Sequence, residues 1–146
     1  MRLSALACGL SLASCTPMGS PHGTAPDKLA DDPARLSCPI AASSDWAAWV
    51  NAMPGPDARP TLIVSGKVTV PTGGYRLAWV DMRVMESYPV QVGVDLQVIP
   101  PAGGATQAVV THDVRGQWPI SPPVGAVTVR CGGRLLASIA PVETAH

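Results

Sequence analysis

A chain of 146 residues suits one domain with a modest core. Hydrophobic residues make up 47% of it and aromatic ones only 4%, and 14 Gly and 16 Pro punctuate a Val-rich sequence, which favours short strands over helices and rules out disorder across the main body. The formal net charge of zero leaves no basic surplus to track a phosphate backbone, so nucleic acid is excluded as a partner.

At the start, Arg2 precedes a short apolar stretch from Leu3 to Ala13 that ends in small residues. This is the pattern of an export signal. The stretch is shorter than the roughly 20 apolar residues a membrane-spanning helix needs. Leu12-Ala13-Ser14-Cys15 resembles the lipobox of bacterial lipoproteins. The resemblance covers the N-terminus alone and names a processing class without a fold. It implies cleavage before Cys15, a diacylglyceryl thioether on Cys15 (the palmitate-type anchor of the class) and acylation of the new amino group. More than one acyl chain is required because a single chain binds a membrane only marginally. The alternative is an ordinary signal peptidase site with Cys15 incidental. Thr16 stands where an Asp would retain such a lipoprotein at the inner membrane, so the pattern implies the outer membrane in a Gram-negative organism. Residues 1–14 are therefore read as signal peptide, and 15–35 as lipidated N-terminus and flexible tether, rich in Pro, Gly, Ser and Thr. The folded domain is expected over 36–141, with 142–146 as a tail.

Cys8 leaves with the signal and Cys15 takes the lipid. Cys38 and Cys131 then remain in an oxidising compartment, where a single disulfide between them is expected. In the chain-entropy view such a bond contributes about 4–5 kcal/mol. Two buried free thiols are the alternative.

The domain opens with Ser43-Ser44-Asp45, a helix-capping run. Trp46, Trp49, Val50 and Met53 follow at i, i+3, i+4 and i+7, one apolar stripe that predicts a short helix stopped by Pro54-Gly55-Pro56. From Thr61 the period changes to two. Leu62, Val64, Val68 and Val70 form one apolar row, and Tyr75, Leu77 and Trp79 begin another on a strand that runs to Met85. Val90, Val92, Val94, Leu96 and Val98 alternate strictly with polar or small partners, one face wet and one dry. Gln107 to Val114 is the next expected strand, and Gly116 to Pro123 an expected loop. Val124–Cys131 and Arg134–Ala140 flank Gly132-Gly133 as a hairpin. The connections are short for parallel crossovers, so mainly antiparallel sheets are expected. The sum is a small, mainly β, antiparallel β-sandwich with one short N-terminal helix; the Cys38…Trp79…Cys131 order is immunoglobulin-like, but Cys38 precedes the first expected strand, so a true immunoglobulin domain is not assigned. A small closed barrel is the alternative.

Chemistry is sparse. His112 and Asp113 are adjacent in a strand and point to opposite faces, so they do not pair. Ser65-Gly66-Lys67 lacks the spacing of a phosphate loop, and no nucleophile elbow is present. Asp81 and Glu86 stand on opposite faces if both are extended. No catalytic residue, metal ligand or cofactor is assigned. The expected function is a lipid-tethered binding or adaptor module for an unknown envelope protein, with Tyr75, Trp79, Tyr88 and Trp118 as candidate anchors, because large rings dominate interface energetics. An envelope protease inhibitor using the stiff segment Trp118 to Pro123 is the alternative, and a small hydrolase stands third.

Overall fold

Rows of Val at alternate positions leave each strand one face that must be dried against another layer. The structure, a computed structural model, describes residues 37–146. The signal, Cys15 with its expected lipid, and the tether to residue 35 lie outside the described residues. Eight strands follow: β1 (Ala42–Asn51), β2 (Thr61–Val70), β3 (Arg76–Met85), β4 (Val90–Ile99), β5 (Val110–Pro119), β6 (Val124–Cys131), β7 (Arg134–Ile139) and β8 (Glu143–Ala145). They form two four-stranded sheets in the orders β5-β2-β1-β8 and β3-β4-β6-β7. The molecule is a small β-sandwich, and its sheets do not close into a barrel.

Between the sheets, Val50, Leu62 and Val64 of the first meet Val92, Val94, Val127 and Val129 of the second. A second group joins Val68, Val70 and Val114 to Leu96, Val98 and Cys131. Trp46 and Trp79 pack against both groups and link them. The strict alternation of β4 appears as its burial pattern: Val92, Val94, Leu96 and Val98 are buried, and Gln91, Gly93, Asp95 and Gln97 are not.

The expected helix over Trp46–Met53 is strand β1 instead. Its ladder runs along β2 on one side and along β8 on the other, and these long-range pairs override a local helical spacing. The strand also carries a bulge. Ser44 pairs Lys67 and Ala47 pairs Ser65, so Asp45 and Trp46 together oppose Gly66. Asp45 takes the left-handed conformation there, φ 55°. The bulge turns Trp46 into the core, while Trp49 lies on the outer face beneath the Arg115 guanidinium, 5.4 Å from its ring centre. The helical stripe is thus split between two faces.

Two strand pairs are parallel, β1 with β8 and β4 with β6. Short connections permit this because β5, which lies between β4 and β6 in sequence, crosses to the other sheet. Residues 142–146 are not a free tail either: Val142 is buried, and Glu143–Ala145 pair with Trp49–Asn51. The Gly116–Pro123 loop is also revised, since β5 pairs without interruption from Val110 to Pro119. Cys38 and Cys131 are bonded, with S–S 2.16 Å and Cα–Cα 5.5 Å, which ties the segment ahead of β1 to the end of β6. Beside the bond, Arg134 donates to the Ile40 carbonyl at 2.9 Å.

Candidate functional site

Strands β3 and β5 are each the edge of their own sheet, and neither pairs with the other. Among the described residues the sandwich is open along this flank. Three of the four expected anchors are gathered there. Trp118 on β5 and Trp79 on β3 meet edge to face across the gap, ring centres 5.4 Å apart. Behind them Trp46 meets Trp79, again edge to face, at 6.4 Å. Each such pair contributes about 0.5–1.5 kcal/mol beyond its buried area. Tyr75 packs half-buried at the head of the same flank. Tyr88 is separate from this group, 86% exposed in the turn between β3 and β4.

The indoles fit because two inward positions of the first sheet carry no side chain. Gly66 lies under Trp46, and Gly116 lies under Trp118. In the sequence Gly66 reads as part of a strand and Gly116 as part of a loop. Their real signal is position: each occupies the inward phase of an otherwise apolar strand, one cross-strand neighbour from Val114 and Val64 respectively.

Two clefts open along the flank, an upper and a lower. The upper one, about 470 Å³, is lined by Tyr75, Leu77, Trp79, His112 and Val114 with Arg76, Asp113 and Arg115 at its rim. The lower one, about 530 Å³, is lined by Arg59, Pro60, Val84, Val90, Pro119, Ile120 and Ser121. The segment after Trp118 is held against the body here: the Ile120 amide donates to the Pro60 carbonyl at 3.0 Å, and the Val90 amide to the Pro123 carbonyl at 3.0 Å.

His112 opposes Val68 and turns toward the interior, as its place in the alternation implies. Its Nε2 is buried and makes no hydrogen bond, and the same holds for Trp46 Nε1. Asp113 lines the same cleft but sits on the other face of β5, with no hydrogen bond to the imidazole. The carboxylate at residue 81 meets a different partner from the one considered above. Asp81 faces Asp95 across the β3–β4 pair, and Arg83 binds both, while Glu86 is exposed in the turn. Among the described residues no three of His, Cys, Asp and Glu are grouped as a metal site.

On the outer face of the first sheet, Asp45 binds Lys67 at 3.0 Å. The hydrogen bond and charge of Asp45, helped by the charge of Asp113, raise the Lys67 ammonium above its usual range.

Family models, curated proteins and solved structures offer no match to this chain.

Proposed function

We propose that this chain is a lipid-anchored envelope protein whose β-sandwich is a binding module, with the β3/β5 flank as its binding face. The anchoring half of the reading rests on Leu12-Ala13-Ser14-Cys15, and Thr16 favours the outer membrane where one exists. The binding half is carried by one observation: an open sheet edge with a cleft that holds Tyr75 and Trp79, beside the Trp79–Trp118 contact. An uncovered edge offers a row of unpaired amides and carbonyls, and partner strands use such rows.

Two measurements test it. Intact mass of the membrane-extracted protein should show acyl groups that vanish with Cys15→Ser; an unacylated native mass rejects the anchor. A photo-reactive residue at Gln117, on the free edge, should capture a protein in whole cells, whereas one at Leu135 on β7 should not. Equal capture from both, or none from Gln117, rejects the flank.

A further inference from the structure

We propose that the partner at this flank is a second copy of the chain, joined edge to edge through β5 so that the two first sheets become one eight-stranded sheet; this rests on reading the flank as a binding face. The four sheet edges are not equivalent. β7 has six residues and β8 three, and β3 is broken by a bulge between Trp79 and Asp81. Among the described residues only β5 is an edge both long and regular, ten residues in unbroken register with β2. Long, flat, uncovered edges pair with other strands unless charge, proline or a bulge prevents it.

The charge on β5 does not oppose such a union; it selects a register. Outward-facing residues alternate as Thr111, Asp113, Arg115 and Gln117, all exposed. In an antiparallel pair of identical strands related by a two-fold axis at Val114, Asp113 falls directly opposite the second copy's Arg115. The same axis sets Arg115 opposite the other Asp113, and Thr111 opposite the other Gln117. Side chains so placed have Cβ atoms about 4.5–5.5 Å apart, within reach of an ion pair. Neither forms an ion pair: among the described residues these involve only Lys67 with Asp45 and Arg83 with Asp81 and Asp95, while Asp113 lies opposite Lys67 without bonding it and Arg115 rests over Trp49. A slip of two residues one way sets Asp113 against Asp113, and the other way Arg115 against Arg115. Both slips place like charges in contact, so one register is favoured.

The inward face agrees. In that register His112 faces the second copy's Gly116, over which that copy's Trp118 ring lies, and Val110 faces Trp118 itself, so imidazole and valine meet an apolar wall. One step beyond, Val109, 69% exposed, comes opposite the other copy's Pro119. Proline has no amide hydrogen to give a ladder, and here it lies just past the last pair. The union covers the open flank of each copy with the flank of the other. An isologous contact of this kind closes on itself, so it yields a dimer and no fibre.

The test is sedimentation equilibrium of the full chain, extracted in density-matched detergent, across a concentration series. The expected mass is that of a dimer. Asp113→Arg and Arg115→Asp each turn two attractions into repulsions and should raise the dimer Kd about tenfold or more. The combined Asp113→Arg/Arg115→Asp chain exchanges the two charges, restores opposite pairs and should recover the native Kd. Thermal midpoints of dilute samples show that each variant is folded. A native chain that stays monomeric at every concentration overturns the proposal, as does a dimer indifferent to the single exchanges. Capture at Gln117 separates the two readings: a monomer whose Gln117 still captures another protein overturns the second copy and leaves the flank, and a monomer that captures nothing overturns both.

Discussion

The six-membered ring of Trp46 lies against the bare backbone of Gly66. A Cβ at residue 66 would come within 2.3 Å of that ring, and one at residue 116 within 2.1 Å of the Trp118 ring. Separations this short require movement. At Gly116 the nearest atom is the far tip of Trp118, on an open flank, and the ring can swing outward. At Gly66 the obstruction includes the fused carbon Cδ2 of a ring packed between both sheets. Gly66→Ala should therefore cost more than Gly116→Ala, within the roughly 1–3 kcal/mol of overpacked cores. Urea unfolding curves with unchanged slope report the two values. Equal or reversed losses would show that Trp46 is as free to move as Trp118. Because residue 116 and Trp118 touch, Gly116→Ala combined with Trp118→Leu should be less destabilised than the sum of the single changes.

A second prediction concerns Cys38 and Cys131. The bond closes a loop with a sequence separation of 93 residues and joins the segment before β1 to the other sheet. Replacing both residues by Ala should lower unfolding free energy by roughly 4–5 kcal/mol in the chain-entropy view. Reductant should then shift the midpoint of the native chain and leave that of the variant unmoved. A response of the variant to reductant would place the effect elsewhere.

Much of this architecture could be read from the residues. The strict alternation of β4, the Gly132-Gly133 hairpin and the pairing of the last two cysteines follow from local pattern and from counting. Three features could not be read that way, each for a stated reason. Trp46, Trp49 and Val50 satisfy a helical spacing and a strand equally well, and only pairing with β2 and β8 decides between them. Parallel neighbours such as β4 and β6 depend on which strands cross between sheets, a property of the whole fold. The open flank with Tyr75, Trp79 and Trp118 was legible as a list of rings. Its clefts were not, because they depend on β3 and β5 becoming edges on the same side.

At the β1 bulge, Asp45 combines a left-handed backbone with the bond to Lys67. Asn tolerates that backbone and lacks the charge, so Asp45→Asn should keep the bulge while returning the Lys67 ammonium toward its usual range. The sign follows from the partner: the folded state holds the proton more tightly than the unfolded chain does. Any stability from this ion pair is complete below the unfolded lysine value, about 10.4, and is lost as pH rises through the higher folded one. It therefore fades only in strongly alkaline solution. NMR titration of the Lys67 side chain in the two proteins checks it, and an identical midpoint in both would remove Asp45 as the cause.

His112 supplies the sharpest contrast between stability and binding. Its Nε2 is buried beside Val68, Val114 and Leu96 without a hydrogen-bond partner. An orphaned buried acceptor or donor costs about 1–3 kcal/mol, whereas an apolar group of similar shape at the same place carries no such penalty. His112→Leu should therefore unfold at equal or higher denaturant than the native protein, although most changes at half-buried positions destabilise. The same substitution alters the wall of the upper cleft and should weaken whatever docks there. Chemical denaturation paired with crosslinking yield at Gln117 separates the two effects. A large loss of stability would mean that Nε2 finds a partner in solution. Unchanged capture alongside raised stability would mean that docking at the flank does not involve the upper cleft.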